Sequence, residues 1–191
     1  MEHLITLSRD LGSVRLPRAD ARYKTYRLVW YSRRLVQTLI DRGIPPRKSG
    51  QDLRVPDVPD RLTSAYWRGV FDGDGCLSVQ IKMRNPLTPE YRLSLAGSRP
   101  LLEGFQNWAI EVAGVRAQKI ARARNSAEVA NTYVFFMNGN RQIAALTSAL
   151  YDGATRFLPR KYALHLALQE QNRRIRPSFH REYRSPRPRQ P

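Results

Sequence analysis

From Cys76 to Met83 the chain alternates without a break, with Leu77, Val79, Ile81 and Met83 on one side and Ser78, Gln80 and Lys82 on the other. A period of two residues is that of a strand with one dry face and one wet face. The alternation returns in "EYRLSLAGS" (90–98), where Tyr91, Leu93 and Leu95 face inward and Arg92 and Ser94 outward. The intervening "RNPLTPE" is turn material, so the two runs form a hairpin. Ahead of it, "TSAYWRGVFDGD" carries apolar residues on most sides, as a helix packed against another helix does. Behind it, "PLLEGFQNWAIEVAG" reads as a helix closed by Gly114. "AQKIARAR" and "TYVFFMN" read as a second hairpin, and "RQIAALTSALYDG" and "RKYALHLALQEQ" as two further helices. The order is α-β-β-α-β-β-α-α, an α+β fold built on antiparallel pairs.

The start of the chain repeats part of this pattern. "TYRLVWYSRRLVQTLIDRGIPPRKS" (25–49) aligns with the stretch from Thr132 to Tyr162, each running Thr-Tyr, apolar strand, helix, Gly and a Pro-Arg-Lys tripeptide. Lys48 and Lys161 share one slot of the repeat, and "HLITLSRDLGS" matches the helix that ends at Gly114. Nothing before it corresponds to the acidic helix and its hairpin. The expected divisions are a partial first unit at 1–50, a linker at 51–63, a complete unit at 64–170 and a basic, disordered tail at 171–191.

Charge narrows the choice of partner. The 191 residues hold 33 basic and 16 acidic side chains, a formal net charge of +17. Such an excess favours a polyanion, with nucleic acid first. A membrane surface is the weaker rival, since no apolar run is long enough to span a bilayer and no basic amphipathic helix dominates. The N-terminus is too polar for a secretory signal. A single cysteine, Cys76, excludes an internal disulfide and a cysteine-based zinc knuckle. A cytoplasmic, DNA-associated protein is the expectation. The tail adds seven Arg against one Glu and cannot bury a core.

Against that background two acids stand out. Asp72 and Asp74 close the apolar helix at the end where carboxylates are disfavoured, so something positive should sit beside them. A divalent cation held by a carboxylate and a helix-end carbonyl would serve. A plain turn with both acids solvated is the bland alternative. A calcium loop of the EF-hand kind fails, because Cys76 and Met83 stand where oxygen ligands are needed.

These residues carry a resemblance. "WRGVFDGDG" (67–75) resembles the motif that names the LAGLIDADG homing endonucleases, with Gly69, Asp72, Asp74 and Gly75 identical and Val70 and Phe71 as apolar replacements. The α-β-β-α-β-β-α order and the late lysine extend the likeness over 64–170. The resemblance implies a saddle of antiparallel strands over the DNA major groove, and a sequence-specific double-strand endonuclease of the kind linked to intron or intein mobility. It implies Mg²⁺ (or Mn²⁺) bound by Asp74 with the Gly73 carbonyl, and catalytic roles for Asp74, Lys161 and Ser98. It also implies a helix interface at Trp67, Gly69, Val70 and Phe71, giving either a homodimer through 64–74 or pairing with a missing upstream unit. Trp67 and Arg68 are bulkier than the family's pattern.

Reading of double-stranded DNA is expected from the outward strand positions: Ser78, Gln80, Lys82, Arg84, Arg92 and Ser94, with Arg122 and Arg124 on the second hairpin. The three histidines form no cluster, and His165 reads as an ordinary residue of the last helix. A non-cleaving DNA-binding regulator, an inactive remnant of the fold and an RNA-splicing maturase are the competing functions.

Overall fold

The computed structural model describes residues 2–12, 16–22, 25–29, 31–46, 53–82, 85–123 and 132–175. The first stretch holds α1 (Glu2–Asp10), β1 (Arg18–Asp20), β2 (Thr25–Arg27) and α2 (Arg33–Asp41). There follow α3 (Asp60–Asp74), β3 (Gly75–Lys82), β4 (Asn85–Gly97), α4 (Arg99–Ala113), β5 (Ile120–Arg122), β6 (Tyr133–Asn138), α5 (Asn140–Tyr151) and α6 (Pro159–Ile175). Lys48, Arg84, Arg124 and residues 176–191 lie outside the described set, as does the side chain of Lys82.

The expected α-β-β-α-β-β-α-α order is the observed order from α3 to α6. β3, β4, β6 and β5 form one antiparallel sheet in that spatial order. Its inner face buries Leu77, Tyr91, Leu93, Leu95, Phe135 and Met137 beneath the helices. Trp67 of α3 meets the ring of Phe105 edge-on at 5.3 Å, and Phe105 meets Phe135 of the sheet in the same way at 5.3 Å. Each such side chain withdrawn from water contributes about 1.5–3 kcal/mol. These rings join helix, helix and sheet into one core.

Three departures from the sequence pattern have physical causes. Val79 and Ile81 continue the inward alternation yet are 41% and 70% exposed: β3 is the edge strand of the sheet, so no strand flanks them on one side. The strand expected across 117–124 is described only at Ile120–Arg122. Before it, the side chains of Gln142 and Gln106 accept from the backbone N–H groups of Arg116 and Gln118, drawing the chain out of the ladder. Finally, α6 continues to Ile175, so 171–175 is helix and not tail. There Gln171 donates to the Pro89 carbonyl at 3.0 Å and Asn172 to the Asn140 carbonyl at 3.4 Å.

The first stretch runs α1-β1-β2-α2, the same order as α4-β5-β6-α5. β1 and β2 pair antiparallel in a sheet of their own. Ser32 caps α2 by accepting from the Leu35 N–H at 3.1 Å, but the helix buries none of its residues. Val36 is 50% exposed, whereas Ile143, its counterpart in the aligned repeat, is 0% exposed. A bidentate pair from Arg156 to Asp10, at 2.6 and 2.9 Å, ties α1 to the loop before α6. It is open to water and adds little stability.

Candidate active site

The C-terminal turn of α3 separates its two acids. Asp72 is fully engaged, accepting from the Tyr151 hydroxyl at 2.6 Å and from the Leu158 N–H, just ahead of α6, at 2.8 Å. Burial, then this bond to Asp72, pushes the Tyr151 hydroxyl far above its ordinary pKa. Asp74 is exposed, and its carboxylate has no hydrogen bond or ion pair among the described residues.

The positive group that the position demands is Lys161. It lies in the first turn of α6, is 0% exposed, and donates to the carbonyls of Phe71, of Asp72 (3.1 Å) and of Gly75 (2.5 Å). Its Nζ also stands 4.7 Å above the Phe71 ring centre. Burial lowers its pKa, partly offset by the Asp72 charge. An ammonium has three donors, and all three are used. The catalytic role expected of Lys161 is therefore not served by a free donor, since all three are held by backbone carbonyls.

Gly75 is bare for a steric reason. A Cβ there would overlap the Phe71 ring and stand 2.5 Å from the Phe71 carbonyl oxygen. At Gly73 a Cβ would meet nothing within 4 Å, so the backbone beside Asp74 is open. Among the described residues no group of three His, Cys, Asp or Glu could hold a metal ion. One carboxylate with a neighbouring carbonyl suits an ion that completes its shell from water and a substrate phosphate, as Mg²⁺ does, but makes no closed cage.

Ser98 and two interface residues need correction. The Ser98 hydroxyl is buried and donates to the Leu53 carbonyl at 2.5 Å, fastening the linker to the start of α4. Its one donor is thus spent on the linker and not on a catalytic partner. Trp67 and Phe71 are 1% and 0% exposed within this chain's own core, so they cannot form a surface for another helix. Arg68, the other bulky departure, donates to the Leu150 carbonyl at 2.9 Å near the end of α5. The small and apolar residues that α3 leaves exposed are Leu62, Ala65, Gly69 and Gly73, with Val70 half-buried beside them.

The sheet's outer face is set by the register. Ser78, Arg92 and Asn138 form one row across β3, β4 and β6, and Cys76, Ser94 and Phe136 the next. Gln80 stands opposite Glu90. Arg122 pairs with Tyr133, which shares a face with buried Phe135. Directly paired residues point the same way, so Arg122 is on the helix side of the sheet and not on the outer face.

Solved structures similar to this chain include an archaeal intron-encoded homing endonuclease, I-Vdi141I, complexed with DNA. It shares 19% identity at a TM-score of 0.43, over 62% of this chain and 72% of that one. The homing endonuclease I-CvuI, in complex with the I-CreI target in the presence of Mg, gives 20% and 0.40 over 59% and 68%. The LAGLIDADG meganuclease I-AabMI bound to uncleaved DNA gives 15% and 0.44 over 61% and 38%. All three are homing endonucleases or meganucleases. No family model and no curated protein matches the chain.

Two residues of the site region escaped the sequence reading. Phe136 is 41% exposed at the centre of the outer face. "YVFFMN" held the signal, since two adjacent Phe in a strand must point to opposite sides. His165 is buried between Tyr151 and Tyr162, with Nδ1 3.1 Å from the Thr147 hydroxyl and Nε2 3.2 Å from the Asp152 carboxylate. It is a locked core group, and the pattern of an amphipathic helix gave no sign of that.

Proposed function

We propose that this chain is a sequence-specific DNA endonuclease of the LAGLIDADG homing type, hydrolysing phosphodiesters of a duplex laid along the outer face of the four-stranded sheet. The observation that carries the reading is the exposed, unengaged carboxylate of Asp74 where α3 gives way to β3, beside a twin, Asp72, that is wholly engaged. A helix C-terminus is an unfavourable place for a free carboxylate, and a bound cation reverses the sign of that cost.

Asp74, with the Gly73 carbonyl beside it, would hold Mg²⁺ or Mn²⁺. A bound divalent ion neutralises charge developing on the phosphate and lowers the pKa of its water. The chain's own residues supply the rest. The net charge of +17 draws the duplex in. Gln80 and Arg92 offer groups suited to adenine and guanine edges, and Ser78 and Ser94 adaptable hydroxyls. Cutting both strands needs two such carboxylates. The exposed stripe at Leu62, Ala65, Gly69 and Gly73 supports pairing of α3 with a second α3, from another copy or another unit.

A DNA-binding regulator that does not cut is the second reading, and the full engagement of Lys161 favours it. Incubation with a randomised duplex library in Mg²⁺ or in EDTA separates the two. Discrete, EDTA-sensitive cuts support the nuclease, and retention of specific duplexes without cutting supports the regulator.

A further inference from the structure

We propose that Lys161 is a positioning residue. It ends α3 by gathering the carbonyls of Phe71, Asp72 and Gly75 on one buried ammonium, and thereby fixes the backbone that carries the exposed Asp74 carboxylate. The role assigned to Asp74 rests on the metal-binding reading above; the cap itself does not.

The last carbonyls of a helix have no intrahelical partners. In α3 the Phe71 carbonyl takes the Gly75 N–H, and the remaining demand at Phe71, Asp72 and Gly75 converges on Lys161. A buried cation is tolerated only where hydrogen bonds and charge complementarity replace water. Here the three carbonyls, the negative end of the helix dipole and the Phe71 ring face do so. The chain from residue 72 to 75 is therefore held at both ends by one atom. Asp72 adds a second anchor, through Tyr151 and the Leu158 N–H. Asp74 lies between the anchored carbonyls, so its backbone has no freedom to swing. The bare Gly75 completes the device, because Phe71 occupies the space of a Cβ there. Arginine cannot replace this lysine, since a planar fork of five donors does not match three carbonyls around a point charge.

The first test uses the unmodified protein. Brief acylation of amines, followed by peptide mass mapping, should leave Lys161 unreacted while the exposed Lys119 reacts. Labelling of both at equal rates would overturn the cap. The second test titrates Mn²⁺ into wild type, Lys161→Met and Lys161→Arg. Both variants should lose affinity about 10–100-fold, as when other supports of a metal ligand are removed, and should lose amide protection around 75–77. Unchanged or tighter Mn²⁺ binding would overturn the positioning role, because removing a nearby charge without moving Asp74 can only help a cation. Asp74→Asn is the control for the underlying reading. If it binds Mn²⁺ as well as wild type does, the metal assignment fails, while the acylation result still decides the cap.

Discussion

One turn of α3 holds two carboxylates whose surroundings assign them different work. Asp72 accepts two hydrogen bonds from α5 and the approach to α6. Asp72→Asn should therefore cost stability, about 1.5–3 kcal/mol for bonds to a charged acceptor, as read from urea unfolding. Asp74→Asn should leave the unfolding midpoint nearly unchanged and abolish cleavage in Mg²⁺ while DNA binding persists. Near-normal cutting by that variant would remove Asp74 from the site. His165 makes stability depend on pH. Burial depresses its pKa below the ordinary 6.5, with Asp152 opposing. The unfolded chain therefore binds the proton more readily than the folded one, and the stability present above pH 6.5 is lost as pH falls through the folded value. The melting temperature of wild type should drop more between pH 7.5 and 5 than that of His165→Gln. The position of Asp74 was legible because motif and helix end coincide in the sequence. The work of Lys161 was not, since its burial depends on how α6 meets α3 across a separation of 86 to 90 residues.

Elements with strong periodicity came through at their expected places, and those decided by side chain–backbone bonds did not. β3, β4 and β6 formed where alternation was clean. β5 shrank because Gln106 and Gln142, on two different helices, bind the backbone ahead of it, an interaction that no local pattern encodes. Arg122 moved to the opposite face for a related reason. The side of a short strand is fixed by its partner's register, and β6, not composition, sets it. Two predictions belong at this scale. Gly75→Ala should destabilise the fold by roughly 1–3 kcal/mol, as overpacking does, and should reduce cleavage further by displacing the backbone next to Asp74. Thermal melts with parallel activity assays would show whether both effects appear. Gly69→Arg, on the exposed stripe of α3, should leave the monomer folded, because a Cβ there meets nothing within 4 Å and the position is open to water. It should abolish self-association measured by light scattering. If the variant self-associates as wild type does, the α3 pairing is wrong.

At the scale of the molecule, two halves built to one order have unequal completeness. α5 buries Ile143 and Leu146 against its neighbours, while the matching Val36 and Leu39 of α2 remain exposed. The repeated sequence pattern leads to the expectation of a duplication; the packing adds that α2, in the first stretch, buries none of its residues. Beyond α6 the sequence holds five more Arg. Deleting 176–191 should weaken binding to specific and random duplexes alike. The slope of log affinity against log salt should become shallower by about 0.9 for each phosphate that the tail no longer neutralises. An unchanged slope with altered site preference would assign the tail to sequence reading. The register of the sheet also has a practical use. Cys76, the chain's sole thiol, opens onto the outer face two residues from Asp74 and opposite Ser94. Its alkylation rate is thus a built-in occupancy gauge. A duplex lying across that face should slow the reagent in proportion to the fraction bound, before any strand is cut, whereas a duplex held elsewhere would leave the rate untouched.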